Sequence, residues 1–178
     1  MRMRLRSLSE LAAAMLVVAG AGPACAAPAQ LYGRSVIVTW NEDREQRFVG
    51  EEELRNIVGY GEFSIYLSST GRPFSRMSFS VKGRSGSRDA VGGESRRSVS
   101  LQGHDMRVVM PMAGGARQVS VTFDSGFQSC SAQVLTGKQN GAERIRVASV
   151  INGREVEMIS VRTGAASCRL QDGNVFAQ

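Results

Sequence analysis

Short runs in which apolar and polar residues alternate recur along this chain, and they constrain its fold more than any other feature. Apolar residues at every second position predict half-buried strands, because successive side chains of a strand point to opposite faces of the sheet. The runs Phe63 to Leu67, Met77 to Val81 and Val119 to Phe123 show this alternation most clearly. No stretch of ten residues has the spacing of an amphipathic helix. The chain should therefore fold as sheet.

Glycine, proline and asparagine separate these runs at regular intervals. The pattern predicts an all-β fold, a β-sandwich of about nine to eleven short antiparallel strands, with a β-barrel as the alternative. The first strand is predicted at Ser35 to Trp40. A polar connection should follow over Asn41 to Arg55, with a short strand at Gln46 to Val49 and a helical turn as an option at Glu51 to Asn56. The stretch Gly83 to Ser95 is rich in glycine and serine and is predicted to be the most mobile loop.

A hairpin signal lies near the C-terminus, where Asn152-Gly153 stands between two runs rich in β-branched residues. Such a dipeptide predicts a two-residue turn, because both turn residues must adopt positive φ. This turn would pair Ser149 with Val156 and Val147 with Met158 on an apolar face. The charged residues of the two runs should occupy the opposite face: Arg144, Arg146, Glu155 and Glu157.

The first 26 residues have the pattern of a secretory signal. Three arginines precede the apolar stretch Leu11 to Gly20, and Ala24-Cys25-Ala26 has the form of a signal-peptidase site. The sequence thus predicts a signal peptide at 1–26 and a single secreted or periplasmic β domain at 27–178, with no transmembrane segment in the mature chain. There are two alternatives. One is a retained anchor helix, which needs about 20 apolar residues; the other is lipid attachment at Cys25.

Removal of this segment leaves Cys130 and Cys168 as the only cysteines. A pair of cysteines in an oxidising compartment predicts one disulfide. Closing a loop of 38 residues stabilises a domain by up to about 4 kcal/mol in the chain-entropy treatment.

Basic residues cluster in the middle of the chain and are the predicted ligand-binding residues. The mature chain keeps 19 basic and 15 acidic residues. Glycine-rich segments with arginines bind phosphate or sulfate groups, so a polyanionic glycan or lipopolysaccharide is the predicted ligand and a solvated loop the alternative. Only Phe74 and Phe79 stand among these basic residues, which gives few rings on which bases could stack, and we expect no specific nucleic-acid binding. The cluster consists of Arg72, Arg76, Lys82, Arg84, Arg88, Arg96 and Arg97.

Thioethers and an imidazole stand close together between residues 104 and 112. These ligands suit Cu(I) outside the cytoplasm, but methionine also fills gaps in apolar cores, so a plain core strand is the alternative. The candidate copper ligands are His104, Met106, Met110 and Met112.

No catalytic signature accompanies these features. His104 is the only histidine, and the Gly-x-Ser-x-Gly pattern of a serine hydrolase is absent. We therefore expect a non-enzymatic protein without a cofactor. A different function class is a structural or inhibitor-type protein that docks on an envelope protein through the acidic segment Glu42 to Glu53.

Four strings of residues are similar to those of a family of small secreted proteins from soil alphaproteobacteria. The resemblance covers nearly the whole mature chain and implies one secreted domain with a disulfide. That family has no assigned activity, so the resemblance transfers no functional residue. The strings are Gly33-Arg-Ser-Val36 leading to Trp40, Ser64-Ile-Tyr-Leu-Ser68 with Gly71-Arg-Pro-Phe-Ser-Arg76, Gly114-Gly-Ala-Arg117, and Cys168-Arg-Leu-Gln-Asp-Gly-Asn-Val-Phe176.

The cysteine count gives a first prediction. Thiol labelling of the exported, unfolded protein should find no free cysteine, and reduction should lower the melting temperature because it removes the cross-link from the unfolded chain. Two readily alkylated thiols would contradict this.

Overall fold

The structure is a computed structural model that describes residues 27–82, 84–91, 98–139, 141–149 and 152–177. Within these ranges a short 3-10 helix, Ala29–Leu31, precedes ten strands. The all-β prediction is confirmed. The strands are β1 Arg34–Phe48, β2 Arg55–Leu67, β3 Pro73–Val81, β4 Arg84–Val91, β5 Ser98–Gln102, β6 Asp105–Met112, β7 Gly115–Phe123, β8 Cys130–Lys138, β9 Ile145–Ala148 and β10 Glu155–Asp172.

The strands form two antiparallel sheets, as the sandwich prediction requires. The larger sheet has six strands in the order β4-β3-β2-β1-β10-β9, and the smaller sheet has four in the order β5-β6-β7-β8. One hydrophobic core draws on both sheets. Trp40 and Phe63 contribute from the larger sheet, and Met106, Val108 and Val119 from the smaller one, each with at most 1% of its surface exposed.

Two links join the sheets at their edges. Cys130 on β8 and Cys168 on β10 form the predicted disulfide, with Cα atoms 5.6 Å apart. At the edge strand β9, the backbone N–H of Arg146 donates to the carbonyl of Ala113, just after β6, at 2.7 Å.

The segment after Trp40 differs from the prediction. The sequence predicted a polar connection, but β1 continues to Phe48 and stays paired with β2 down to Gln46. The optional helical turn at 51–56 is wrong, since β2 begins at Arg55. Polar residues follow Trp40 at every second position. Glu42 and Arg44 find charged partners there, whereas the buried Oε1 of Gln46 has no hydrogen-bond partner in the described residues.

The predicted mobile loop at 83–95 is also wrong in its first half. Arg84–Val91 forms β4, the edge strand of the larger sheet, paired along its length with β3. An edge strand is held by backbone bonds to one neighbour, so it needs little apolar alternation. Lys82 adopts a φ of 45° in the turn. Residue 83 and residues 92–97 lie outside the described ranges.

The C-terminal hairpin keeps its predicted faces but not its register. Val156 pairs with Val147 and Met158 with Ile145, two residues away from the predicted pairing. A shift of two preserves which side chains face the core, whereas a shift of one would invert them. The turn is longer than two residues. Gly153 alone of the dipeptide has a positive φ, while the Asn152 side chain accepts a bond from the backbone of Arg154.

Gly61 on β2 makes room for the indole of Trp40. A Cβ atom at Gly61 would lie 2.4 Å from two atoms of the ring. We expect Gly61→Ala to lower the free energy of unfolding by roughly 1–3 kcal/mol, because the core must shift to admit the methyl group. Denaturant unfolding measures this. Gly137→Ala is the matched control, since no atom lies within 4 Å of its Cβ position. Equal stabilities of the two variants would contradict the prediction.

Candidate functional site

The predicted ligand-binding residues within the described ranges fall on one hairpin at the edge of the larger sheet. We call residues 72–91, which comprise Arg72, β3, the turn and β4, the basic hairpin; it holds five basic residues and one acidic residue. Arg76 lies on β3, Lys82 in the turn, and Arg84 and Arg88 on β4. Arg96 and Arg97 lie outside the described residues, as does the side chain of Arg88.

Three of these side chains form no ion pair with any carboxylate that the structure describes. Arg72, Lys82 and Arg84 are exposed, and none forms an ion pair with a residue that the structure describes. Arg72 lies over the ring of Phe74, with 5.6 Å between its guanidinium carbon and the ring centroid. Arg76 is half-buried and lies 5.1 Å from the ring centroid of Phe176. The basic hairpin therefore presents positive charge to solvent at a sheet edge.

The four candidate copper ligands are not gathered at one open site. His104 is exposed in the turn before β6, where Nδ1 lies 3.1 Å from the carbonyl oxygen of Asp124 and the ring stacks on Phe127. Met106 and Met110 are buried in the core, on either side of Val108. Met112 is half-buried. In the described residues no three His, Cys, Asp or Glu side chains are grouped to hold a metal. Copper binding stays an untested prediction that this placement does not favour.

The interior contains a group of charges that the sequence reasoning missed. Glu42 on β1 has no exposed surface, and Arg117 on β7 of the facing sheet donates to its Oε2 from Nη2 at 2.5 Å. Trp40 donates to the same oxygen from Nε1 at 3.2 Å. Arg44 places Nη1 3.5 Å from Oε1. We call Glu42, Arg44 and Arg117 the buried ion cluster; it bridges the two sheets.

The buried ion cluster carries a net charge of plus one. Burial lowers the pKa of Arg44 to about 10, an effect that Glu42 opposes and Arg117 reinforces. The guanidinium group therefore remains protonated at neutral pH. Both arginines lie over aromatic rings, Arg44 at 4.3 Å from the centroid of Phe79 and Arg117 at 5.5 Å from that of Trp40. Such contacts stabilise a partly desolvated cation.

The buried ion cluster removes Glu42 from the segment Glu42 to Glu53 that was predicted to dock on a partner protein, and the docking hypothesis itself stays a prediction. Glu42 is enclosed between the sheets and cannot meet a partner protein. Glu51 and Glu53 accept bonds from Arg55, and Glu51 also from Arg154. The sequence did contain a pattern that indicates this burial: the alternation of β1 continues through residues 42, 44 and 46 with polar side chains.

A second arginine cluster lies on the other face of the larger sheet and is occupied by a carboxylate. Glu157 on β10 accepts bonds from Arg47, Arg144 and Arg146 at 2.8–3.1 Å. The bond from Arg47, with those from Arg144 and Arg146, lowers the pKa of Glu157. The ionised carboxylate stabilises the fold at neutral pH, and this contribution is lost as the pH falls through the lowered pKa. These arginines pin β9 and β1 to β10.

The buried ion cluster gives a stability prediction. Arg117→Met should cost roughly 3 kcal/mol in the free energy of unfolding, because it removes the nearest partner of a fully buried carboxylate. Arg162→Met is the matched control: Arg162 and Asp43 are an exposed pair at 3.6 Å, and such pairs contribute about 0–1 kcal/mol. Denaturant unfolding of both variants at neutral pH measures the difference. Equal losses would show that Arg117 is not the main partner of Glu42.

Comparison with known proteins does not assign this chain to a family. No protein-family model, no curated protein and no solved structure shows a significant match to the chain. Among the described residues, no helix has the length and apolar character needed to span a membrane. The resemblance to small secreted alphaproteobacterial proteins stays a prediction.

Proposed function

We propose that this is a secreted or periplasmic, non-enzymatic binding protein that attaches to an anionic envelope or extracellular ligand through the basic hairpin. The ligand class is a polyanionic glycan such as lipopolysaccharide. The observation that carries the proposal is the exposed charge of Arg72, Lys82 and Arg84 on one hairpin, where none of the three forms an ion pair within the described residues.

Export is supported by two independent features. The Cys130–Cys168 disulfide fits an oxidising compartment. The arginines, apolar stretch and cleavage pattern of residues 1–26 fit a secretory signal. Outside the cytoplasm, glycans with phosphate or sulfate groups are abundant partners for arginine and lysine.

The arrangement of the basic hairpin suits a charged polymer. Guanidinium groups bind phosphate and sulfate through paired hydrogen bonds, and ammonium groups do so as point charges. Because β4 is the edge strand, a large ligand can approach along the free side of the sheet. Exposed charges gain attraction mainly through long-range electrostatics, so binding should weaken as salt rises.

The test compares two double variants with the same loss of charge. Lys82→Ser with Arg84→Ser should weaken binding to vesicles containing lipopolysaccharide by about thirtyfold, since each basic residue near an anionic surface contributes about 1 kcal/mol. Arg107→Ser with Lys138→Ser is the control, because both side chains are exposed, lie on β6 and β8, and form no ion pair in the described part of the chain.

Vesicle sedimentation at low and high salt gives the affinities, with retention on a heparin column as a second readout. The wild type and the control should lose affinity as salt rises. Equal weakening of both double variants would show that only net charge matters. Unchanged binding by the hairpin variant would overturn the proposal.

A further inference from the structure

A small cavity adjoins the buried ion cluster, and Arg72, Lys82 and Arg84 of the basic hairpin are not among the residues described as lining it. Its volume is ≈ 40 Å³. Arg44, Arg117 and Ser149 line it, together with apolar residues that include Phe79, Val156 and Met158. The cavity therefore lies next to two arginines and is otherwise mainly apolar.

The charges around this cavity do not balance. Glu42 supplies one negative charge against two arginines, and its Oε2 already accepts bonds from Arg117 and Trp40. In the described residues, the buried Nε of Arg44 and Oε1 of Glu42 have no hydrogen-bond partner. The side chains of Arg44 and Arg117 are only 10% and 8% exposed. An excess buried charge is costly unless a counterion or further hydrogen bonds offset it.

We infer that this cavity binds a small monovalent anion of the halide class, such as chloride, between the guanidinium groups of Arg44 and Arg117. One water molecule needs about 10–15 Å³ of such space, so the cavity has room for one small ion with little accompanying water. Larger organic anions do not fit. The bound ion brings the net charge of the site to zero and gives the N–H groups of Arg44 an acceptor.

The test measures thermal unfolding of the mature chain while sodium chloride replaces sodium gluconate at constant ionic strength. Chloride should raise the melting temperature of the wild type by roughly 3–6 °C at about ten times its dissociation constant, with a further rise of similar size for each additional tenfold increase in chloride. Arg44→Met should abolish the shift, because the remaining pair of Glu42 and Arg117 is neutral. The control Arg107→Met, an exposed arginine outside the site, should keep it, and so should the hairpin double variant.

Crystals grown in sodium bromide locate the ion and decide the question even if Arg44→Met fails to fold. An anomalous peak between Arg44 and Arg117 in the wild type supports the inference. A cavity that holds only water overturns it, as does a chloride shift of equal size in wild type and Arg44→Met. A failure of the lipopolysaccharide test would not contradict the anion site, because that test changes Lys82 and Arg84 whereas the chloride test changes Arg44.

Discussion

The ion pair between Glu42 and Arg117 is the interaction on which the interior of this protein depends. It joins β1 of one sheet to β7 of the other at a place where both strands have left the apolar core. Removing one member of such a pair costs far more folding free energy than replacing both by apolar residues, because the remaining charge stays buried. The bond from Trp40 ties the pair to the indole that fills the core. The apolar and ionic parts of the interior are therefore one packed unit, and a change in either is felt by the other.

The disulfide and the ion pair hold the two sheets together at different points along β1. Cys168 on β10 is the pairing partner of Val38, four residues before Glu42. At about 3.3 Å per residue the two links lie roughly 13 Å apart along the strand. One is covalent and sits beside the hydrophobic core; the other is electrostatic and sits where the core ends. Two separated links fix the angle between the sheets as well as their spacing, which allows a defined cavity to persist next to the second link.

The fold class was predictable from sequence because alternation reports directly which face of a strand is buried. It succeeded for Phe63 to Leu67 and Val119 to Phe123, where the inward residues are apolar. It failed after Trp40, where inward positions hold Glu42 and Arg44, since a buried ion pair and a solvated loop have the same composition. It failed again for Arg84–Val91, because an edge strand is held by backbone bonds that no side-chain pattern reports. The hairpin register was missed because tertiary packing of Ile145 and Val156 outweighed the preference of Asn-Gly for a tight turn.

The basic hairpin was only partly predictable, because composition shows where arginines stand but not which of them pair with a carboxylate. Arginines are frequent both in residues 72–91 and in residues 144–154. In the second group, Arg144 and Arg146 bond to Glu157, which lies on a neighbouring strand and also holds Arg47 from more than a hundred residues away. Lys82 and Arg84 have no such carboxylate in the described structure. The order of the strands brings Glu157 opposite Arg47 on one neighbour and Arg146 on the other. The edge strand β4 has a neighbour on one side only, so fewer strands can supply an acidic partner, and in the described residues Lys82 and Arg84 form no ion pair.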